Sequence, residues 1–370
     1  MSQITPITMP KWGLSMTEGK VVEWLAEEGQ RLSAGDPVMD IETEKIANTF
    51  EALDAGTLRR RVAGVDDVLP IGALLGVLAD DSVSDDAVDA FVAEFLASYV
   101  PPVAEEGESG PVYEWADAGG YRLRYSVRGE SGPAVVLIHG FGGDLDNFLF
   151  NHDALAARAR VYALDLPGHG QSSKAVSDAS VAGLSAAVLA FMDAVGVSAA
   201  HLVGHSLGGA IALQTAVSAP GRVSSLSLLA PAALGQSING AYLRGFVAAE
   251  SRKELKPLLQ QLVANPELVN RQMVDDMLKF KRVDGVPAAL TAIAEGFCSG
   301  ETQTLVLRDA LATLACPVQV LWGDRDAIIP AEQASGLPAS VRTEVLPGIG
   351  HLLHLEAANA VNALLLRQLG

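Results

Sequence analysis

The sequence has few cysteines and no long apolar segment. Only Cys298 and Cys316 occur among 370 residues, so a disulfide-rich scaffold is excluded and reduced thiols are expected. No apolar run reaches the roughly 18 residues that a membrane-spanning helix needs. The first residues, MSQITPITMPKWG, lack the basic, apolar and small-residue segments of a signal peptide. We therefore expect a soluble protein located in the cytoplasm.

Basic residues are also scarce, and they are unevenly distributed. The chain has 26 Lys and Arg against 44 Asp and Glu, a formal net charge of -18. Residues 81–110 contain eight acidic residues and no basic one. An acidic surface repels phosphate groups, so neither nucleic acid nor an anionic membrane is expected as a partner. Because 370 residues exceed one ordinary hydrophobic core, we interpret the acidic stretch as the boundary between two folded units.

Residues 1–80 have the pattern of a small all-β domain, in which short β-rich runs alternate with turns. A shift of 37 residues superposes seven positions, which predicts two similar half-domains that cover each other's apolar faces. The matched pairs are Gly19 with Gly56, Val21 with Leu58, Leu25 with Val62, Leu32 with Leu69, Gly35 with Gly72, Val38 with Leu75 and Ile41 with Leu78. The segment from PVMDI to ANTFEA is then the crossover between the halves, with Lys45 at its exposed tip.

Residues 81–110 predict one amphipathic helix followed by a linker. Apolar residues recur at helical spacing, Ser84 is placed to cap the N-terminus, and Pro101 and Pro102 end the helix. The apolar positions are Val88, Phe91, Val92, Phe95, Leu96 and Tyr99. This stripe requires cover from a flanking domain or from a separate partner protein, and both interpretations stay open. The Pro-, Gly- and Glu-containing residues up to 110 form an extended tether.

Residues 111–370 alternate short apolar runs with Ala- and Leu-rich helical stretches. The runs are AVVLIHG, RVYALDL, AHLVGHS, VSSLSLLA, PVQVLWG and RTEVLPG. Such runs are typical of central strands in a mainly parallel sheet, so we predict a doubly wound α/β domain. Functional groups in these sheets gather beyond the carboxyl ends of the strands.

The pentapeptide from Gly204 to Gly208 has the pattern G-x-S-x-G between a strand and a helix. Taken alone, it is either a glycine-rich turn with a capping serine or a tight elbow that presents Ser206 as a nucleophile. Asp326 and His351 follow two later strands, which gives the chain order of nucleophile, acid and base that α/β-hydrolases use. Asp324 is a rival acid, although its position is more typical of a turn or an ion pair.

The motif HGFGG after the first long strand supplies a candidate oxyanion hole. The backbone N–H groups of Phe141 and Leu207 are placed to hold a developing oxyanion. The remaining histidines are interpreted as structural, and no Cys/His spacing or GxGxxG indicates a metal or a dinucleotide. These histidines include His152, His169, His201, His205 and His354.

Residues 236–315 carry no strand signals and predict a helical lid over the site. Its basic clusters, SRKELK and KFKRVDG, are interpreted either as solvated helix faces or as contacts with an anionic substrate.

The first unit resembles the lipoyl domains of 2-oxo acid dehydrogenase complexes. The segments that carry this resemblance are MPKWGLSMTEGKV, EGQRLSAGDPV and IETEKI. The resemblance implies that Lys45 carries lipoate in amide linkage. Biotin carriers place this lysine between methionines, whereas Glu44 and Ile46 flank it here.

The second unit resembles α/β-hydrolases over nearly its whole length, which implies Ser206 as nucleophile, His351 as base and Asp326 as orienting acid. The two units together resemble the dihydrolipoamide acetyltransferase components of bacterial acetoin dehydrogenase systems. Acyltransferase domains of other complexes carry His-x-x-x-Asp-Gly, but FKRVDG has Phe280 in place of the histidine. The resemblance therefore implies an acyltransferase with a hydrolase-type site.

This resemblance implies transfer of an acetyl group from a lipoyl arm on Lys45 to coenzyme A in acetoin catabolism. The implied partners are a thiamine-diphosphate-dependent acetoin dehydrogenase component, dihydrolipoamide dehydrogenase and a lipoylation enzyme, and we expect a homo-oligomer. Two alternatives stay open: an esterase or thioesterase with a lipoyl module, and a non-catalytic lipoyl carrier within a dehydrogenase complex. Whether Ser206 forms an acetyl-enzyme, or His351 activates coenzyme A directly, also stays open.

Overall fold

The computed structural model describes residues 4–10, 16–43, 47–101 and 113–370. The chain divides into two compact units, Met1–Pro111 and Val112–Gly370. None of the helices in these described ranges is long and apolar enough to cross a membrane.

The first unit consists of two four-stranded antiparallel sheets and one helix, α1 (Asp85–Ser98). Its strands are β1 (Ile4–Thr8), β2 (Glu18–Trp24), β3 (Arg31–Leu32), β4 (Pro37–Glu42), β5 (Ala47–Glu51), β6 (Gly56–Arg61), β7 (Val68–Pro70) and β8 (Leu74–Ala79). The orders β1-β8-β6-β3 and β5-β4-β2-β7 match strand for strand, which confirms the predicted repeat. Val21 and Leu58, one of the predicted pairs, are both fully buried in the same apolar core.

The connection that contains Lys45 differs from the predicted crossover. β4 and β5 are antiparallel neighbours in one sheet, with Glu42 opposite Ala47. The two strands therefore form a hairpin. β5, the first strand of the second half of the repeat, pairs with β4, the last strand of the first half. Lys45 itself lies outside the described residues.

Helix α1 packs against the sheets of the first unit. Ser84 caps its N-terminus, and Val88 is fully buried in a cluster with Leu74 and Val77 of β8. Beyond the helix, the Tyr99 hydroxyl donates to the carbonyl oxygen of Ile71 at 2.7 Å. The first unit thus covers most of the apolar stripe, which favours a flanking domain over a separate partner, although Leu96 stays 54% exposed.

The second unit is built on an eight-stranded sheet of order β18-β17-β14-β13-β11-β12-β10-β9. Its strands are β9 (Tyr113–Ala118), β10 (Tyr121–Arg128), β11 (Ala134–Ile138), β12 (Arg160–Leu164), β13 (Ala200–His205), β14 (Val223–Leu229), β17 (Val318–Gly323) and β18 (Val341–Leu346). The short strands β15 (Cys298–Ser299) and β16 (Thr302–Gln303) form a separate hairpin. The helices are α2 (Leu149–Ala156), α3 (Val181–Ala194), α4 (Leu207–Ser218), α5 (Gly240–Ala248), α6 (Arg252–Leu259), α7 (Arg271–Lys281), α8 (Val286–Phe297), α9 (Leu353–Glu356) and α10 (Ala358–Leu369).

The six predicted strands are the six parallel strands of this sheet, so the predicted fold class is confirmed. The sequence pattern did not reveal β9 and β10, which form an antiparallel hairpin at one edge. The residues of β10, YRLRYSVR, alternate between apolar and polar, so the strand lacks the continuous apolar run of a central strand, although Leu123 to Ser126 are all buried. In the sheet, β12 lies on one side of β11 and β13 lies on the other. The connection through α2 and the connection through α3 therefore run in opposite directions, which places these two helices on opposite faces of the sheet.

Helices α5 to α8 lie between β14 and β17 in the chain, where the sequence predicted a lid. The prediction of a segment without strands was wrong only for the hairpin of β15 and β16, whose strands are two residues long. Two-residue strands carry too few residues to produce a visible alternation.

Candidate active site

Ser206 sits at a strained turn between β13 and α4. Its backbone angles are φ 53° and ψ -117°, a conformation that L-residues rarely adopt. The turn requires glycine on both sides, since a Cβ at Gly204 would lie 2.2 Å from the Gly208 oxygen, and one at Gly208 would lie 2.1 Å from the Ile138 oxygen. Of the two interpretations of the pentapeptide, the geometry matches the elbow that exposes a nucleophile.

His351 and Asp326 form a buried hydrogen-bonded pair. His351 Nδ1 lies 2.7 Å from Asp326 Oδ2, and the side chains are 3% and 0% exposed. Asp326 Oδ1 accepts hydrogen bonds from the N–H groups of Ile328 and Ile329 at 2.8 and 2.9 Å, and Trp322 Nε1 donates to Oδ2 at 3.0 Å. Because a carboxylate faces Nδ1, that nitrogen carries the proton, which leaves Nε2 of neutral His351 as a base.

Asp324, the rival acid, is engaged elsewhere. Its carboxylate accepts a hydrogen bond from the N–H of Gly348 at 2.6 Å and lies 3.8 Å from the guanidinium of Arg325. The structure brings Ser206 and His351 to the wall of one cavity, with Asp326 behind the histidine. Asp324 has a turn-stabilising position.

The loop from Gly140 to Gly143 also lines this cavity. Leu207 is the first residue of α4, and Phe141 lies in the loop. Within the described parts of the chain, neither of their N–H groups donates to a protein acceptor, so both are free to bind a substrate oxygen. The helix N-terminus adds a favourable dipole for a developing negative charge.

Two of the histidines that sequence reasoning interpreted as structural hold this machinery in place. His169 Nε2 accepts a hydrogen bond from the N–H of Gly142 at 3.1 Å, which fixes the oxyanion loop. His205 Nε2 lies 3.0 Å from the carbonyl oxygen of His351 and must donate to it, since a carbonyl only accepts. Burial lowers the pKa of both imidazoles well below the ordinary value, so both are neutral.

The positioning role of these histidines had only a weak sequence signal. His205 occupies the variable position of G-x-S-x-G, and His169 lies in a turn far from the oxyanion loop in sequence. His354 packs its ring between Phe148 and His205, at centroid distances of 4.9 and 4.5 Å, and burial lowers its pKa to about 3. It acts as a packing residue, as the sequence indicated.

The cavity around Ser206 has an apolar wall built by the lid. Its volume is about 100 Å³, and it is open to solvent on one side. The ring of Phe141 packs against Phe246 and Phe297 of the lid at centroid distances of 5.8 and 5.9 Å. The other lid residues of the wall are Ile238, Tyr242, Leu243, Leu259, Leu262, Met273 and Met277. Such a lining favours an aliphatic acyl or thiol chain over water.

The basic clusters of the lid divide into fixed and exposed residues. Lys281 is 7% exposed and donates from Nζ to the carbonyl oxygens of Phe246 and Ala249, so it caps the end of α5. Arg252 pairs with Asp275 between α6 and α7. For Lys281 a structural role replaces the predicted solvated face or substrate contact, whereas Arg252 and the other cluster cations are exposed.

Two sequence families match the chain. The α/β hydrolase fold family matches residues 133–358, and a biotin/lipoyl family described as biotin-requiring enzyme matches residues 5–78. Among solved structures, the meta-cleavage product hydrolase of Pseudomonas fluorescens IP01 is 21% identical with a TM-score of 0.63, covering 69% of this chain and 96% of that one. The 2-hydroxy-6-oxo-6-phenylhexa-2,4-dienoate hydrolase of Rhodococcus sp. strain RHA1 is 25% identical with a TM-score of 0.63, covering 70% and 98%. Fold and site thus define an α/β-hydrolase-fold protein with an attached lipoyl-type domain.

Two relatives match almost the entire chain. The dihydrolipoyllysine-residue acetyltransferase component of the acetoin cleaving system from Cupriavidus necator is 49% identical over 369 residues, 99% of this chain and 98% of that protein. The protein of the same description from Pseudomonas putida is 50% identical over 363 residues, 98% and 97% of the two chains. The chain belongs to this family of acyltransferases, and the resemblance seen in the sequence is confirmed.

Proposed function

We propose that this chain transfers an acetyl group from a lipoyl arm on Lys45 to coenzyme A in an acetoin-cleaving system. The observation that carries the proposal is the near-complete match to two such acetyltransferase components, in a chain whose Ser206 and His351 line one cavity and whose Asp326 is hydrogen-bonded to His351. The described ends of β4 and β5 suit a lipoyl attachment site. Glu42 pairs with Ala47, so the segment that contains Lys45 connects two strands at the end of a sheet.

The lipoyl group, when bound, supplies the thiol that presents the acetyl group as a thioester. In the first half-reaction His351 Nε2 takes the proton of Ser206 Oγ as Oγ bonds to the thioester carbon. The N–H groups of Phe141 and Leu207 hold the oxyanion, and Asp326 stabilises the imidazolium. The C–S bond then breaks, and its sulfur takes the proton from Nε2.

In the second half-reaction His351 Nε2 takes the proton of the coenzyme A thiol. The thiolate bonds to the acyl carbon of acetyl-Ser206, the C–O bond to Oγ breaks, and Oγ regains its proton from His351. In the second route that the sequence left open, His351 activates coenzyme A directly and Ser206 only donates a hydrogen bond. Both routes use the same residues, and only the first leaves an acetyl group on Ser206.

The relatives' description as components of a system implies partner enzymes. We infer that these are a thiamine-diphosphate-dependent acetoin dehydrogenase component, dihydrolipoamide dehydrogenase and a lipoylation enzyme. A cytoplasmic homo-oligomer fits this role. Attachment of the lipoyl-type unit to the catalytic unit raises the local concentration of the arm.

A product assay on the full lipoylated chain tests the proposal. The acetylated dihydrolipoyl protein is mixed with coenzyme A, and acetyl-coenzyme A and free acetate are measured for the wild type, Ser206→Ala and the control Ser224→Ala, which changes an exposed serine of β14. We expect acetyl-coenzyme A as the main product, a loss of about 10³-fold or more in Ser206→Ala and no loss in the control. Acetate as the main product instead identifies a thioesterase.

The attachment site is tested by intact mass after expression with lipoylation enzymes. We expect a lipoyl adduct on the wild type and on the control Lys20→Arg, and none on Lys45→Arg. An adduct that persists in Lys45→Arg contradicts the assignment. Rapid quenching of the product assay and mapping of acetylated peptides separates the two routes, since only the acetyl-enzyme route labels Ser206.

A further inference from the structure

Three hydrogen bonds connect the lid, Glu356 at the end of α9 and the loop that carries His351. The N–H of Ala264, in the segment after α6, donates to Glu356 Oε2 at 2.7 Å, and the N–H of Gly350 donates to Glu356 Oε1 at 3.0 Å. The N–H of Leu352 donates to the carbonyl oxygen of Leu262 at 3.0 Å. One carboxylate thus bridges two main-chain segments from separate parts of the sequence.

The main chains of the two segments are in close contact at this bridge. A Cβ at position 350 would lie 2.6 Å from the nitrogen of Ala264 and 2.8 Å from the carbonyl carbon of Val263. Only glycine at position 350 lets the lid segment approach so near to the residue that precedes His351. Val263 and Leu352 are each 7% exposed, so the contact excludes solvent.

This contact forms part of the cavity wall. Leu262 and Leu352, the two residues joined by the main-chain hydrogen bond, both line the cavity together with Ser206. Separation of the two segments would open the wall directly beside the reacting serine. Water would then reach an acetyl group on Ser206 from this side.

Glu356 has no other assignment in the site. Asp326 already orients His351, and Glu356 is largely buried at the end of α9. The titratable groups that face it are His351 and Asp326, and burial raises its pKa in spite of the two N–H donors. Burial of a carboxylate costs free energy, and hydrogen bonds to the buried group offset part of that cost. The two N–H groups that donate to Glu356 come from the lid and from the His351 loop.

We propose that Glu356 is a positioning residue that fastens the lid to the His351 loop and thereby keeps water from the acyl group until a thiol arrives. This inference rests on the proposed function and deepens it. Glu356 determines the choice between thiol and water, whereas Ser206 and His351 perform the transfer.

The test compares Glu356→Gln with the control Glu344→Gln, which makes the same chemical change at an exposed position of β18. Glutamine keeps one acceptor oxygen and places an N–H donor against the second backbone N–H, so one side of the bridge is lost. The first measurement is hydrogen exchange of residues 262–264 and 350–352 in the full chain. The second is the ratio of acetate to acetyl-coenzyme A formed from S-acetyldihydrolipoamide and coenzyme A.

We expect Glu356→Gln to speed exchange at both segments and to raise the acetate ratio by about tenfold, as for loss of one hydrogen bond to a charged group. Glu356→Asp keeps the charge but not the reach, and we expect an intermediate ratio. Unchanged exchange, or faster exchange with an unchanged acetate ratio, overturns the inference. A wild type that forms no acetyl-coenzyme A refutes the proposed function instead, and the exchange measurement then still decides whether Glu356 fastens the lid.

Discussion

His205 donates a hydrogen bond from Nε2 to the main-chain carbonyl oxygen of His351 at 3.0 Å, although 146 positions separate the two residues. The elbow that carries Ser206 and the loop that carries His351 are therefore tied together by a side chain that belongs to the elbow itself. The rings of the two histidines also contact each other, with centroids 4.7 Å apart. The position of the base relative to Ser206 thus depends on a residue without a direct role in proton transfer.

Replacement of His205 by phenylalanine keeps a flat ring and removes the donor. We expect kcat to fall by about tenfold or more with little change in KM, because the buried carbonyl oxygen of His351 loses its partner. The control is His201→Phe on the same strand, whose ring bonds to Ser225 Oγ away from the cavity. Steady-state kinetics checks the prediction, and an equal loss in both variants would mean that the ring substitution itself is harmful.

The two aspartates after β17 provide a matched pair. Asp326→Asn places an amide beside His351 Nδ1, so we expect kcat to fall by about 10³- to 10⁴-fold through the wrong tautomer. Asp324→Asn retains an acceptor oxygen for the N–H of Gly348, and we expect activity within about threefold of the wild type. Similar losses in both variants would remove Asp326 from its assigned role.

The pH dependence of stability reports on Glu356. Burial raises its pKa from 4.5 to about 7, and the titratable groups that face it are His351 and Asp326. The folded chain binds the proton of the Glu356 carboxyl group more tightly than the unfolded chain does. The stability that this protonation contributes is therefore fully present below pH 4.5 and is lost as the pH rises through about 7.

Thermal unfolding of the wild type and of Glu356→Gln checks this sign. Glutamine cannot ionise, so the variant does not lose this stability as the pH rises. We therefore expect the difference in unfolding temperature, variant minus wild type, to be larger at about pH 8 than at about pH 5. The Glu344→Gln control should show no such trend. A relative decrease in Glu356→Gln would mean that the ionised carboxylate is stabilising in the folded state.

The contact of α1 with the first unit is tested by truncation of a buried side chain. Val88 is fully buried and Leu96 on the same helix is 54% exposed. Val88→Ala should cost about 1–3 kcal/mol of docking free energy and speed hydrogen exchange in α1, whereas Leu96→Ala should leave exchange unchanged. Equal exchange in both variants would show that the helix is held by its ion pairs, such as that of Arg60 with Asp89.

Local sequence features predicted a large part of the fold. The six parallel strands were visible because central strands are buried on both faces and therefore read as continuous apolar runs. The β9–β10 hairpin was missed because its strands contain polar residues at alternate or irregular positions and so give no continuous apolar run. The repeat in the first unit was visible, but the hairpin between β4 and β5 was not, since a repeat specifies equivalence of strands and not which strands pair.

The sequence by itself determined the candidate chemistry. Ser206, Asp326 and His351 were identified from chain order and from the glycines of the elbow, because such a turn permits no side chain at positions 204 and 208. The role of Lys45 rests on the resemblance of its segment to lipoyl domains and stays a prediction, since Lys45 lies outside the described residues. The sequence already favoured Asp326 over Asp324, and the hydrogen bonds of the two carboxylates agree with this preference. Only the tertiary structure placed His205 behind His351 and brought Glu356 between the lid and the His351 loop. These roles depend on hydrogen bonds between residues that are far apart in the chain. Secondary-structure patterns are visible in a sequence because they repeat every two to four residues, and a contact between distant segments produces no such repeat.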